Sequence, residues 1–453
     1  MSQKVIKIKR GLDIKLVGEA EKVLKKAASS TLFAMTPDEF IGVVPKLLVA
    51  EGDSVQVGTP IFFDKAHPEV LFASPVAGVV KGINRGEKRK ILNITIETAV
   101  EQSAVKFEKL PSSASAQQVK ERILGAGYWP MIMRRPYGVI ADSAETPRDI
   151  FVSGLDSAPL GVDYNFLLEG EAENLATGIA AMAKLTSGKV HIGVPCGTNS
   201  GALSKLSGAE VYEFAGKHPA GNVGVQIEKI APISKGEVVW TLSIVHLAMI
   251  GRMLRSDQAD FSRSVAVVGS CAKHPQYIKT TYGAQIATMV GDNTNAEASK
   301  TGNVRIINGN VLSGSAVSKE GFVGFYNNAV SLIPEGDYYE FIGWAMPRLN
   351  KFSASKSYFS WLTPNKKYNA DTNMNGGERA FVANSIYQDV MPMNILPVYL
   401  MKAVMAEDID KMEQLGIYEV IEEDVALCEF VCPSKIEWQD TLRKGLDFMM
   451  KNA

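Results

Sequence analysis

Two cysteines near the C-terminus have the spacing of half an iron–sulfur ligand set. Bacterial four-iron sites follow the pattern C-x2-C-x2-C-x3-C-P, and Cys428-x3-Cys432-Pro433 reproduces its last part. The first two ligand positions hold Glu422 and Val425. Because valine cannot bind iron and two thiolates do not hold a four-iron cluster, the sequence predicts no cluster in this chain. We interpret Cys428 and Cys432 as structural thiols.

A glycine-containing turn followed by a strand with a polar end is the second motif. The turn Gly125-Ala126-Gly127-Tyr128-Trp129-Pro130 begins like G-x-G-x-x-G, the fingerprint that cradles pyrophosphate. Pro130 stands where the third glycine would allow helix and strand to pack closely. An apolar strand and the polar loop after it follow at residues 149–160, as in α/β proteins that present a nucleotide. The broken fingerprint argues against phosphate binding.

Four further residues are of reactive types but lack partners in the sequence. His191 lies in an apolar strand and His246 on an apolar helix, so we expect both to be core histidines. Cys196 stands at a strand end, where sites occur, but no base is visible beside it. Lys65 lies where lipoyl carriers bear their modified lysine. Because His67-Pro68 follows directly and makes a different hairpin, we expect an unmodified Lys65.

Length and composition describe an ordinary folded protein. The 453 residues suggest roughly three domains, and 46% apolar with 21% charged residues exclude a disordered or collagen-like chain. A net charge of −1 gives no reason to expect nucleic-acid binding. Four cysteines indicate a reducing compartment rather than a disulfide framework.

No segment has the pattern of a signal peptide or a spanning helix. Residues 1–10 lack a continuous apolar stretch, and the most apolar run, residues 390–406, contains Asn394, Lys402 and two prolines. We expect a soluble protein, and a peripheral seat on a membrane complex stays open. The basic N-terminus and the acidic residues 407–424 are interpreted as solvated faces, with docking to a partner or an anionic lipid surface as the alternative.

The elements that would position these residues predict an α/β multidomain protein. Short strands and glycine turns in residues 43–80, ending in Ser74-Pro75-Val76-Ala77-Gly78, resemble a biotinyl/lipoyl barrel-sandwich, which we assign to residues 1–105. Strands then alternate with helices, as a parallel Rossmann-like sheet requires, over residues 106–258. The order strand, His274-Pro275, strand, Gly283, helix resembles the SLBB β-grasp module, assigned to residues 259–350. Residues 351–453 are expected to form a C-terminal helical domain.

In this order, these pieces resemble the NqrA family, the A subunits of the Na+-translocating NADH:quinone oxidoreductase. The similarity covers essentially the whole chain and is densest at residues 6–14, 74–78 and 391–433. More distantly, the chain resembles the C subunit of the Rnf complex and the NADH-binding flavoprotein subunit of respiratory complex I.

The distant kinship implies that a flavin/NADH site has degenerated in this chain. Of the flavin loop, Gly125 and Gly127 remain, while the upstream glycines and a lysine are lost. The strand-end motif is changed at four positions, which now hold Ser153, Leu155, Asp156 and Ala158. Pro159 survives. Because Leu155 and Ala158 replace acids that bond a ribose or position a nicotinamide, the resemblance implies loss of flavin, NADH and cluster alike.

The family resemblance implies a cofactor-free peripheral subunit at the cytoplasmic face of the bacterial inner membrane. NADH, FAD, FMN and an iron–sulfur centre would be used by other subunits, and the membrane-embedded B subunit is the expected partner. The isolated chain is not expected to be catalytic. Two alternatives remain: a soluble flavin-dependent NADH oxidoreductase and an Rnf-like electron-transfer subunit.

The resemblance also associates this subunit with quinone, and an amphipathic ring headgroup suits aromatic faces and an arginine donor. The residues predicted to form a quinone-binding or subunit-interface surface are Phe33, Trp129, Met133, Arg134, Arg135 and Tyr137. An equally weighted alternative is that the aromatic residues fill a vacated flavin pocket.

Overall fold

The computed structural model describes residues 4–27, 30–111 and 113–452. Its N-terminal strands are β1 (Lys4–Ile8), β2 (Glu21–Lys26), β3 (Leu32–Met35), β4 (Pro45–Leu47), β5 (Ser54–Val55), β6 (Pro60–Asp64), β7 (Leu71–Ala73), β8 (Gly78–Arg85) and β9 (Ile91–Thr98). Two sheets, ordered β3-β9-β8-β5 and β4-β6-β7, form the barrel-sandwich. Its core includes the stacked rings of Phe62 and Phe72, whose centroids are 4.4 Å apart. The predicted barrel-sandwich is confirmed.

The second part is an α/β domain built on a mostly parallel sheet. Its elements are α1 (Ala116–Gly125), β10 (Met133–Arg135), β11 (Val139–Ile140), β12 (Ile150–Ser153), α2 (Tyr164–Leu167), α3 (Ala172–Leu185), β13 (Val190–Pro195), β14 (Glu210–Gly216), α4 (Val223–Ile230), β15 (Val239–Ser243) and α5 (Ile244–Ser256). The sheet order is β1-β14-β13-β12-β15-β10-β11, and only β10 and β11 run antiparallel to their neighbours. Helix α1 begins with a capping box between Ser115 and Gln118.

The third part is a β-grasp domain with a mixed sheet. Its elements are β16 (Ser262–Val268), β17 (Gln276–Thr281), α6 (Ala287–Val290), β18 (Val304–Asn308), β19 (Ser315–Ala316) and β20 (Ala329–Pro334). The sheet order is β19-β18-β20-β16-β17-β2. The order of strand, strand and helix agrees with the SLBB prediction.

The first two strands lie outside the barrel-sandwich, although the predicted range 1–105 includes them. Strand β1 pairs in parallel with β14 at the edge of the α/β sheet. Strand β2 pairs in parallel with β17 at the edge of the β-grasp sheet. The N-terminal segment therefore ties the two later domains together before the chain enters the barrel-sandwich at β3.

The C-terminal part is helical from residue 386 onward. Its helices are α7 (Ile386–Val390), α8 (Pro397–Met405), α9 (Ile409–Gln414), α10 (Glu422–Val431) and α11 (Trp438–Asn452). They pack around Tyr387 and Trp438, whose rings are 4.7 Å apart, and their core extends to Ile8 and Phe214 of the α/β sheet. In the apolar run 390–406, α7 ends at Val390 and the short helix α8 (Pro397–Met405) follows. No helix of the described residues is long and apolar enough to cross a membrane.

Candidate functional site

The α/β sheet has a point where its strand order reverses. Starting from β12, the chain adds β13 and β14 on one side and then crosses over to add β15 on the other. In open α/β sheets, ligands bind in the crevice at the carboxyl ends of the strands at such a switch point. Here β12 and β15 end at Ser153 and Ser243, which lie opposite each other in the sheet. A cavity of about 370 Å³ opens beside these two serines.

Three domains form the walls of this cavity, which we call the switch-point cavity. The α/β domain contributes Met131, Met133, Arg135 and the loop after β12. The β-grasp domain contributes two loops, at residues 309–313 and 326–329. The start of α10 closes a further side with Ile421, Glu423 and Ala426. The cavity therefore exists only when the three domains are assembled.

Strand β10 sends alternate side chains to opposite sides, as strand geometry requires. Met133 and Arg135 line the cavity. Arg134 instead forms an ion pair with Glu145 at 3.0 Å. The guanidinium of Arg134 also lies 5.8 Å from the ring centroid of Tyr137.

Arg135 is committed to the helical domain. Its side chain is 1% exposed, and Nη1 donates to Asp424 Oδ2 at 2.8 Å while Nη2 donates to Glu423 Oε1 at 3.1 Å. Asp424 is fully buried, whereas 38% of the Glu423 side chain is exposed, and this residue lines the cavity. Burial raises the pKa of Glu423, and the charge of Asp424 raises it further. The ion cluster therefore joins β10 to α10 at the cavity wall.

The polar side chains in the loop after β12 are bonded to backbone groups of the protein. Asp156 accepts from the backbone N–H groups of Ala158 at 3.0 Å and Val162 at 3.1 Å. Burial raises the pKa of Asp156. Ser153 Oγ donates to Gly221 O at 2.7 Å. These groups hold the loop together, and Leu155 and Ala158 add no charge to the cavity wall.

The glycine turn packs against the barrel-sandwich at Gly127. Gly127 has φ +73°, and a Cβ at this position would lie 2.5 Å from the Cβ of Ala73. Trp129 is fully buried, its indole N–H donates to Ala141 O at 2.7 Å, and its ring meets that of Trp240 edge-on at 5.3 Å. The turn therefore lies at the contact between the α/β domain and the barrel-sandwich.

The six residues predicted to form a quinone or interface surface do not form one surface. Met133 and Arg135 line the switch-point cavity, and Tyr137 lies beside the cavity residue Gly138, with its ring 6.2 Å from that of Tyr418. Phe33 is buried in the barrel-sandwich opposite Ile96, and Trp129 is buried as described above. For Trp129 the packing fits the alternative that aromatic residues fill vacated space.

Several cavity residues were not singled out from the sequence. Leu312, Tyr326 and Asn328 come from β-grasp loops, and their types and spacing carry no recognisable pattern. Glu423 follows Glu422 at the start of α10, where acidic residues also favour the helix dipole. The sequence could have indicated an ion cluster only if the acidic run had been matched with the distant arginine that pairs with it.

Of the remaining reactive residues, His246 lines the switch-point cavity and the other three do not. His191 Nε2 contacts Asp149 Oδ1 at 3.3 Å, and its ring stacks on Phe151. Burial lowers the pKa of His246 to about 3, which keeps it neutral at the cavity wall. Cys196 and Lys65 are exposed. The predicted core positions of the two histidines are confirmed.

The C-terminal cysteine region has the wrong donors for a four-iron cluster. Cys428 and Cys432 are buried, and Cys432 Sγ lies 3.2 Å from the hydroxyl of Tyr387. Burial raises the pKa of Cys428. Val425 offers no ligand atom, and Glu422 is bonded to Arg443 at 3.1 Å. Two thiols within a packed helical core fit the predicted structural role.

Known protein families and individual relatives match nearly the whole chain. Residues 6–99 match the NqrA N-terminal barrel-sandwich hybrid domain, residues 114–289 the NqrA second alpha/beta domain, and residues 264–319 the NQRA C-terminal domain. The chain is 33% identical to the A subunit of the Na(+)-translocating NADH-quinone reductase of Rhodopirellula baltica, with 98% of each chain covered. Identity to the equivalent subunit from Yersinia pestis is 34%, with 97% of this chain and 98% of that one covered.

Proposed function

Because the chain belongs to the NqrA family, the A subunits of Na+-translocating NADH-quinone reductases, we propose that it is the peripheral quinone-binding subunit of such a complex. In this proposal the switch-point cavity takes a quinone headgroup, and the chain itself carries no flavin, NADH or iron–sulfur centre. The observation that carries the proposal is the switch-point cavity. It lies where α/β sheets bind nucleotides, and the charges of its wall suit a neutral ligand.

The charges at the cavity wall disfavour phosphate. Flavin mononucleotide and NADH both bring phosphate groups, which need cations or free backbone donors. Arg135 is neutralised by Asp424 and Glu423, and the further acid Asp156 lies in the same wall. Burial lowers the pKa of His218 to about 4, so this cavity residue is uncharged near neutral pH. A neutral quinone ring needs no cation in the cavity wall.

The shape and lining of the cavity suit an amphipathic ring. Its volume of about 370 Å³ falls in the range of small-molecule pockets. Met131, Met133 and Leu312 provide apolar contacts, while Ser243 and Asn328 offer polar groups to carbonyl oxygens. Such a mixture of apolar surface with few polar groups is typical of sites that orient a small ligand.

Photoaffinity labelling tests the proposed site. A photoreactive short-tail ubiquinone is expected to label peptides from the β10 region and residues 309–313, and excess unlabelled ubiquinone should abolish the labelling. Leu312→Trp, which fills the cavity, should reduce labelling at least tenfold, and Leu48→Trp at a position 50% exposed should not. Labelling confined to the helices α8, α9 and α11 would overturn the proposal.

We also propose that the chain docks on the membrane subunits at the cytoplasmic face, with the membrane-embedded B subunit as the partner. Residues 339–362 support this, because they expose many large apolar side chains, and large exposed apolar patches are rare except at interaction sites. These side chains are Tyr339, Phe341, Ile342, Met346, Leu349, Phe359, Trp361 and Leu362. Phe341→Ser combined with Trp361→Ser should abolish co-purification with the other subunits while leaving the chain monodisperse. Unchanged co-purification would refute this surface.

The purified chain also separates the proposal from a flavin-dependent NADH oxidoreductase. We expect a colourless protein that neither retains flavin nor oxidises NADH. A yellow chain that turns over NADH alone would favour the alternative function.

A further inference from the structure

We propose that His67, Glu69 and Asp142 form a binding site for a divalent transition-metal cation such as Zn2+, which joins the barrel-sandwich to the α/β domain. Each of the three side chains offers one ligand atom, and these atoms all lie within 4.8 Å of one another. Two ligand atoms that each lie about 2 Å from a shared ion are at most about 4 Å apart, so the side chains need to close by roughly 1 Å to bind one. The site lies away from the residues that line the switch-point cavity.

The three ligands come from two domains. His67 and Glu69 lie in the turn between β6 and β7 of the barrel-sandwich, and Asp142 follows β11 of the α/β domain. The turn is the one in which His67-Pro68 departs from the lipoyl-carrier hairpin. A cation held here would cross-link two loops that otherwise contact each other through few polar bonds, one of them from Ser143 Oγ to Glu69 Oε1 at 2.8 Å.

The charges around the site leave the carboxylates available. Among the described residues, neither Glu69 nor Asp142 forms an ion pair with a lysine or an arginine, and the ring nitrogen Nδ1 of His67 lies 3.9 Å from Glu69 Oε1. Arg134, the arginine beside this loop, is paired with Glu145. Two carboxylates and a neutral imidazole supply two negative charges, which a divalent cation balances.

The surroundings of the site also have unused coordinating capacity. Glu145 Oε2 is buried without a hydrogen-bond partner among the described atoms. Burial raises the pKa of Glu145, and the charge of Asp142 raises it further. The Ser143 hydroxyl orients Glu69, as groups around metal ligands commonly do.

The ligand chemistry selects the class of ion. Imidazole nitrogen suits zinc, copper, iron and nickel, whereas magnesium and calcium prefer oxygen ligands alone. One imidazole with two carboxylates fits Zn2+, whose bonds to histidine nitrogen and carboxylate oxygen are both near 2.0–2.2 Å. Because the side chains of His67 and Glu69 are 46% and 42% exposed, water can complete the coordination.

Calorimetric titration of the chelator-treated full-length chain with zinc chloride tests the site. The titration uses a Cys196→Ser background, because the exposed Cys196 thiol could bind zinc by itself. We expect one saturable site per chain. His67→Ala and Asp142→Asn should each weaken binding at least tenfold, whereas His274→Ala, an exposed histidine elsewhere, should change it less than twofold.

Hydrogen exchange supplies a second readout that does not depend on the variants. Zinc should slow exchange in the β6–β7 turn and in residues 141–145 at the same metal concentration, because one ion joins both. The absence of saturable zinc binding, binding that survives either ligand substitution, or protection confined to one of the two loops would each overturn the proposal.

Discussion

Replacing Arg135 by methionine should weaken the attachment of α10 to the α/β domain, whether or not a ligand is bound. Arg135 and Asp424 come from different domains and are 1% and 0% exposed, with 2.8 Å between Nη1 and Oδ2. Methionine keeps much of the apolar volume but removes the charge. Asp424 then remains buried with its bond from Ile421 N and without its cation.

The expected loss is about 3–5 kcal/mol, the usual cost of removing one partner from a buried ion pair. Asp424→Asn alone should cost less, because Arg135 keeps Glu423 at 3.1 Å and asparagine can still accept the hydrogen bond from Ile421 N. In the double variant Arg135→Met/Asp424→Asn no unpaired buried charge remains at this pair. We expect a coupling energy of about 2 kcal/mol between the two substitutions, within the range found for contacting residues.

Hydrogen exchange of the α10 amides is the suitable assay, because a chain of several domains does not unfold in one two-state step. The opening free energy of Glu422–Val431 should fall in Arg135→Met and recover in the double variant. A loss below about 1 kcal/mol, or strictly additive losses in the double variant, would refute the role of Arg135 as a domain anchor.

Three further predictions concern pH, packing and thiol reactivity. Burial raises the pKa of Glu39 to about 7 from 4.5, so the folded chain holds a proton that the unfolded chain releases. The stability of the region around Glu39 should therefore fall as pH rises from 4.5 to about 7, by up to about 1.4 kcal/mol per unit. Glu39→Gln should flatten the pH dependence of the midpoint of thermal unfolding, and parallel midpoint profiles would contradict the prediction. Gly127→Ala should lower the opening free energy of the α1 amides in hydrogen exchange by about 1–3 kcal/mol through its clash with Ala73, whereas Gly125→Ala, which meets nothing within 4 Å, should not. Iodoacetamide should modify Cys196 in the native chain and the other three cysteines only after unfolding, as peptide mass spectrometry would show; native labelling of a buried cysteine would contradict the packing.

Much of the fold could be predicted because its signals are local. The Ser115 capping box, the alternation of strands and helices after it, and the glycine-rich turns of the barrel-sandwich each depend on neighbouring residues. The break in the glycine fingerprint was also visible, because Pro130 stands where the third glycine would be and the role of that glycine is steric.

Pairing between distant segments was not predictable from these patterns. The alternating residues of β1 indicate a strand but do not specify its neighbour, and its partner β14 lies about two hundred residues away in the chain. Arg135 was predicted to serve a ligand or an interface because its type suits both. The structure shows its guanidinium bonded to Asp424, 289 positions further along the chain.

Equilibrium binding of ubiquinone-1 and of FMN to the purified chain tests the central claim most directly. We predict saturable binding of the quinone, a loss of at least tenfold in affinity in Leu312→Trp but not in Leu48→Trp, and no binding of FMN. Stoichiometric FMN binding, or quinone binding that is unchanged when the switch-point cavity is filled, would contradict the account.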